Sequence, residues 1–249
     1  MRQRDAAICI RTTDYSETSQ VVHFLTRTAG AVRLIAKGSK RAKSKTGGAI
    51  DLLAEGDLVY TAKSSDALGT LIEFSESVSH RPLRADAVRL NTALYMIELA
   101  GELIAPGDPH PESFDLLHNA LARLAQPDAP LPAVLAYYQW RLLRQAGLLG
   151  NLSACVACGR PAVAASGRRE AWFSSQLGGL LCRDCEPSAG DKHRLDGAAL
   201  AGLAALAAAE SGRKVALPDA QAAAVNRLLG YHAREQLGKP LRMARYVIG

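Results

Sequence analysis

The chain changes its hydrophobic rhythm once. Up to about residue 75, apolar residues come in short runs separated by polar turn residues. Ala6-Ala7-Ile8-Cys9-Ile10 is one run, Gln20–Leu25 a second and Ala31–Ala36 a third, with Thr28-Ala29-Gly30 as a hairpin turn between the last two. Asp57–Lys63 and Leu68–Phe74 follow, separated by Ser64-Ser65-Asp66. Five short strands in this span predict a small closed barrel, and the OB-fold is the usual five-stranded form. From residue 82 the period lengthens to about 3.6. Leu83, Leu90, Leu94 and Ile97 predict one amphipathic helix, and Phe114, Leu117, Leu121 and Leu124 a second, with Pro111 in its first turn. Leu131, Leu135, Tyr138 and Leu142 predict a third, capped by Gly147. A cysteine-bearing segment then interrupts, after which Asp196 is placed to N-cap a helix through Leu200, Leu203 and Leu206. Val225, Leu228, Leu229 and His232 mark a last helix, stopped by Gly238 and Pro240. The expected architecture is α+β and multidomain: a barrel over residues 1–80, a helical domain over 81–249, and an insertion over 151–188 inside the latter.

Composition narrows the class. The chain has 249 residues, 48% apolar and 22% charged, as soluble globular proteins do. No apolar run approaches the roughly 20 residues that span a bilayer. Met1-Arg2-Gln3-Arg4-Asp5 leads into an alternating segment and not a signal-peptide core, so a cytoplasmic protein is expected. Thirty Lys and Arg against 24 Asp and Glu give a net charge of +6, which permits nucleic-acid binding without demanding it. The distribution decides.

Four of the five cysteines form two knuckles, Cys155-Val156-Ala157-Cys158 and Cys182-Arg183-Asp184-Cys185, separated by 23 residues. Two residues between ligands let a tight turn aim both thiolates at one ion, and Gly159 follows the first knuckle where a turn welcomes it. Four thiolates complete a tetrahedral shell, so the expectation is one structural zinc ion with no open position for catalysis. A redox pair needs a single C-x-x-C on a β-α unit, and a zinc deaminase needs a P-C-x-x-C, which is absent. A small insertion has little core, so the ion should hold it folded. Arg160, Arg168, Arg169 and Arg183 make this segment basic.

Arg33, Lys37, Lys40, Arg41, Lys43 and Lys45 form a second feature, free of acidic residues and interleaved with Gly38, Ser39, Ser44, Gly47 and Gly48. In an OB-like barrel this segment leaves the third strand beside the oligonucleotide groove. A solvated loop has a similar composition, but the dense, one-signed charge favours phosphate contact, indifferent to sequence and weakened by salt. Tyr15, Phe24, Tyr60 and Phe74 fall in the barrel, mostly in strand patterns that suit core packing. Backbone electrostatics should then outweigh base stacking, with tolerance of single and double strands alike. Arg234, Lys239, Arg242 and Arg245 form a further positive group near the end of the chain. There is no Walker loop, no H-E-x-x-H and no G-x-S-x-G, and the six histidines are scattered singly, so no catalytic site and no small-molecule substrate are expected.

With these parts in order, the chain resembles the RecO family of recombination mediators. The resemblance rests on Arg11-Thr12-Thr13-Asp14-Tyr15-Ser16-Glu17, Val21–Thr26, Gly30–Arg41, Lys43-Ser44-Lys45 and the doubled C-x-x-C within a helical domain. It implies a non-enzymatic protein of DNA repair that binds single- and double-stranded DNA and anneals complementary strands without ATP. It also implies pairing with RecR to help load RecA onto DNA coated by single-strand-binding protein. That last protein is a further expected partner, through the helical domain. Arg33, Lys37, Lys40 and Arg41 match the family's barrel surface, with Lys43 and Lys45 as neighbours, and a nucleoid-associated location in the cytoplasm follows. Such proteins do not all carry the finger, which fits a scaffold role. A zinc-containing OB-fold RNA- or tRNA-binding accessory protein is the main alternative left by the residues. An enzyme with catalytic zinc and a purely protein-binding scaffold are the others.

Overall fold

A computed structural model describes residues 2–41, 44, 48–62, 67–162, 171–210 and 216–248. The described chain divides into two compact units, Met1–Ala129 and Pro130–Gly249. In the first, strands β1 (Arg2–Asp14), β2 (Gln20–Thr26), β3 (Gly30–Ala36), β4 (Glu55–Thr61) and β5 (Gly69–Val78) close into a barrel in the order β1-β2-β3-β5-β4. All neighbours are antiparallel except the β3–β5 pair. This is an OB-fold barrel, as the strand pattern predicts. Period-two alternation aims Ala7, Cys9, Val22, Phe24, Val32, Leu34, Ala36, Leu58, Tyr60, Leu71 and Phe74 into one core. Phe24 and Phe74 meet there at 5.1 Å between ring centroids.

The first strand is much longer than the Ala6–Ile10 run suggests. Its front half pairs with β4 and its back half with β2, and the register shifts between Cys9 and Arg11. Such a bulge bends a strand so that it can serve two neighbours. The polar ends, Arg2-Gln3-Arg4 and Arg11-Thr12-Thr13-Asp14, hide the strand from an apolar pattern while the ladder still satisfies their backbone. At the β2–β3 turn, the Thr28 amide and hydroxyl donate to the Asp5 carboxylate at 2.9 and 2.7 Å. Gly30 has φ +68°, and a Cβ there would lie 2.4 Å from the Asp108 carbonyl oxygen.

Two helices complete this unit, α1 (Ala87–Leu103) and α2 (Pro111–Leu124). Leu83 does not belong to α1. It lies in a 3-10 turn, Arg81–Ala85, after which Asp86 caps α1 by accepting from the amides of Val88 and Arg89 at 2.8 and 3.1 Å. A single stripe through Leu90 and Leu94 also understates α1. Thr92, Ala93, Tyr95, Met96, Ile97, Leu99 and Ala100 are all buried. Arg27, just past β2, makes a bidentate pair with Asp115 on α2, both bonds 2.9 Å.

The second unit holds α3 (Leu131–Gln145), α4 (Gly197–Glu210), α5 (Asp219–Leu237) and the short α6 (Ala244–Val247). The expected caps are present. Gly147 has φ +71°, its amide donates to Arg144 O and that of Leu148 to Leu143 O, completing a Schellman motif. Asp196 accepts from the Ala199 amide at 2.7 Å. A buried polar link joins α3 to α5: Gln139 donates to Asn226, which donates to the Pro132 carbonyl, both at 2.9 Å. Between α3 and α4 lies the cysteine segment, with a small sheet of β6 (Trp172–Ser174), β7 (Gly179–Leu181) and β8 (His193–Arg194) in the order β7-β6-β8. No helix among the described residues is long and apolar enough to cross a membrane.

Candidate metal centre and nucleic-acid interface

Cys155, Cys158, Cys182 and Cys185 converge, all four sulfur atoms lying within 4.8 Å of one another. The backbone of each knuckle turns to make this happen. The Gly159 amide donates to Cys155 O at 2.8 Å, and the Cys185 and Glu186 amides donate to Cys182 O at 3.1 and 3.0 Å. Gly159 takes φ +73°, which a side chain would strain. The first knuckle is tied to β7, which leads into the second, by the Val156 amide on Leu180 O at 2.8 Å. Thiolates about 2.3 Å from a tetrahedral ion stand about 3.7–3.8 Å apart. The Cys158 and Cys182 sulfurs are 3.7 Å apart. The geometry therefore fits one metal ion, and the donor set is all sulfur.

The thiols shift in both directions: hydrogen bonding with Cys158 and Cys182 pushes Cys185 up to about 12. Hydrogen bonds from the Arg160 backbone and then its side chain pull the Cys158 thiol down to about 6. Burial pushes Cys155 up, but backbone donors from Cys182, Cys158 and Ala157 outweigh it and leave it below its ordinary value. Arg160 also pairs with Asp184 at 2.9 Å, joining one knuckle to the other. The segment is seated on the helices of its own unit. Phe173 of β6 meets the His232 ring edge-on at 5.1 Å, and His232 Nε2 donates to Leu148 O at 2.9 Å. Arg168 and Arg169 lie outside the described residues.

The barrel presents the second feature. Arg33 projects from the outer face of β3, Lys37 and Lys40 lie in the turn after it, and Arg41 follows; all four are exposed. Lys43 and Lys45 lie outside the described residues. Lys40 is not wholly free: its ammonium pairs with Asp14 at 2.6 Å, an acid the linear segment does not reveal. Among the described residues no carboxylate pairs with Arg33, Lys37 or Arg41.

Strand pairing adds two residues that the linear reading missed. Arg11 is the register partner of His23, and His23 that of Arg33. The three stand in one row across β1, β2 and β3, on the phase opposite the core, where directly opposed Cβ atoms are about 4.5–5.5 Å apart. Burial, then the charges of Arg11 and Arg33, hold the His23 pKa below its ordinary value. A protonated His23 would stand directly opposite two like charges, which costs stability. One residue pair further along, the exposed Thr13 and the half-buried Val21 and Ile35 form a row that leads to the 15–19 turn and Lys37. The outer face of strands 2 and 3, with the loop between strands 1 and 2, is where OB-folds take oligonucleotides.

Of the remaining histidines, His80 and His118 are not scattered. They flank the buried Glu55 carboxylate, His80 Nε2 at 2.8 Å and His118 Nδ1 at 2.5 Å. Burial pushes Glu55 up, but these two hydrogen bonds outweigh it and hold its pKa below the ordinary value. The trio ties β4 to the turn before α1 and to α2, inside the first unit.

Residues 1–78 match the family model described as recombination protein O N terminal, and residues 84–244 that described as recombination protein O C terminal. A protein named DNA repair protein RecO from Anaeromyxobacter dehalogenans (strain 2CP-C) is 34% identical over 253 residues, spanning 99% of this chain and 96% of that protein. A protein of the same name from Anaeromyxobacter sp. (strain Fw109-5) is 32% identical over 249 residues, spanning 99% and 95%. One from Rhodopirellula baltica is 32% identical over 182 residues, spanning 73% and 66%.

Proposed function

Because the chain belongs to the RecO family of DNA repair proteins, we propose that it is a non-enzymatic recombination mediator whose barrel grips the phosphates of single- and double-stranded DNA. The observation that carries this reading is the Arg11–His23–Arg33 row, continued by Lys37, Lys40 and Arg41. Arg11, Arg33, Lys37 and Arg41, none of them paired with a carboxylate among the described residues, make a track for a polyanion beside His23 and Lys40. Binding there releases counterions and reads no sequence.

Annealing follows from the same charge. Two complementary strands repel through their phosphates, and a surface that neutralises both lowers that barrier without breaking a bond, so no nucleotide is consumed. The division of labour runs along the chain: residues 1–80 bind DNA, and residues 81–249 carry the protein contacts, with 151–188 as a metal-held insertion. RecR is the partner for loading RecA onto DNA coated by single-strand-binding protein, and the latter is contacted by the helical part. The protein works at the nucleoid, in the cytoplasm. Cys155, Cys158, Cys182 and Cys185 hold one zinc ion, which supplies cross-linking of the two knuckles and no chemistry. The family's repair relatives lend nothing to an RNA- or tRNA-binding accessory role.

The direct test is annealing of complementary oligonucleotides, free and coated by single-strand-binding protein, without nucleotide. RecR-dependent RecA loading is then followed on the coated strand. The expected result is annealing by the protein alone and loading only with RecR. Annealing that requires ATP, or none at low salt, would overturn the reading.

A further inference from the structure

Four aromatic residues fall in or beside the barrel strands. Phe24, Tyr60 and Phe74 are buried in the core, whereas Tyr15 is 65% exposed. A lone exposed ring is unremarkable on a protein surface. Its surroundings are what distinguish it. Tyr15 opens the β1–β2 turn, which is closed by its own amide on Ser19 O at 3.0 Å and that of Ser16 on the same oxygen at 3.2 Å. The turn is stitched to the basic segment: the Lys40 amide donates to Thr18 O at 3.1 Å, the Gly38 amide to Ser19 Oγ at 3.2 Å, and the Ser39 hydroxyl to Gln20 at 3.0 Å. The residue before the ring, Asp14, holds the Lys40 ammonium. Ring and cations are thus fixed by adjacent residues of one hydrogen-bonded junction. Among the described residues no aromatic ring or cation stacks on Tyr15.

We propose that Tyr15 is a base-stacking platform at the loop end of the cationic row, so that this site prefers an unpaired strand of DNA to a duplex. The proposal rests on the phosphate-gripping role of the barrel and adds its substrate preference. Single-strand sites combine a positively charged path for the backbone with aromatic faces for bases. In a duplex the bases are already stacked on each other and cannot reach the ring, leaving phosphate contacts alone. An incoming strand is held by both contacts, and the base contact is given up when it pairs. A single platform meets both needs: it orients one base without burying a run of them.

The test uses the full-length, metal-loaded protein and three probes of equal length: an oligothymidylate, the same backbone with abasic sites throughout, and a duplex. Binding is measured for the wild type, Tyr15→Ala and Tyr15→Phe. Tyr15→Ala is expected to weaken oligothymidylate binding about tenfold and to leave the abasic and duplex affinities and the salt dependence unchanged. Tyr15→Phe, which keeps the ring, should bind as the wild type does. Equal losses on all three probes would assign Tyr15 a structural role in the junction, and no loss on any would remove it from the site; either overturns the proposal. A wild type that binds none of the probes would instead refute the phosphate-gripping reading, and this inference with it.

Discussion

At the scale of single residues, the barrel surface is set by what stands opposite what. His23 lies between two arginines, and burial together with their charges disfavours its protonated form. A phosphate seated on the row would offset that repulsion, so the complex should hold the proton more tightly than the free protein. Affinity for DNA is therefore expected to rise as pH falls from about 8 towards 6, and His23→Gln should flatten the profile. Binding isotherms across this range check it; an unchanged slope in the variant would separate His23 from the site. Gly56 offers a purely structural test. A Cβ there would come 2.0 Å from the Ser75 carbonyl oxygen on β5. Gly56→Ala should cost roughly 2 kcal/mol or more in denaturant unfolding, because backbone and not a flexible side chain has to move. The knuckle cysteines were legible at this scale because two-residue spacing is local. The Arg11–His23 pairing was not, since it depends on a register between strands, and neither was the Lys40–Asp14 pair, whose members lie 26 positions apart in the chain.

Among the elements, helices were easier to read than their attachments. Pro111, Gly147, Asp196 and Gly238 mark ends in the sequence and are found at ends in the structure, because capping is decided within a turn or two. The start of α1 differs: Pro82 supports a 3-10 turn and Asp86 then supplies the real cap, which an apolar period running through Leu83 conceals. The Glu55–His80–His118 trio was invisible because it joins three separate elements. Its removal is expected to loosen α2 from the barrel: Glu55→Ala leaves two imidazoles without their acceptor and should cost about 2–4 kcal/mol. Acid should have two effects. Glu55 has a folded pKa below its ordinary value, so its contribution is complete above about 4.5 and is lost as pH falls through the lower folded value. His232, whose pKa burial depresses, binds fewer protons folded than unfolded. Its contribution is complete above about 6.5 and declines as pH drops below that. Thermal unfolding between pH 7 and 5 should thus reveal a loss in both units, from His232 in the second and from His23, likewise depressed, in the first. A His232→Gln variant that showed the same loss would contradict this assignment.

On the scale of the whole molecule, the proposed function gives the two compact units two different physical tasks. The second gathers four thiolates around one point, and among the described residues its cysteine segment is built from a few short strands. Stripping metal with a chelator should unfold this segment and lower the melting temperature of the second unit, while the barrel's affinity for DNA persists; circular dichroism with parallel binding measurements would show it. Loss of DNA binding in step with the metal would place the finger in the binding site instead. The first unit's proposed task is electrostatic, and six of its fifteen Lys and Arg residues stand in one dense run in the sequence. Only the fold shows that the run continues a row begun by Arg11 and His23 on other strands.

The proposed grip of these cations on phosphates is electrostatic. It is tested most directly by the salt dependence of binding to a single-stranded oligonucleotide, for the wild type and for a variant with Lys37, Lys40 and Arg41 all replaced by Ala. On single strands each phosphate contact contributes roughly 0.7 to the slope of log affinity against log salt. A steep wild-type slope is expected, and a variant slope shallower by about 2. Parallel lines for the two proteins, however far apart in affinity, would contradict it.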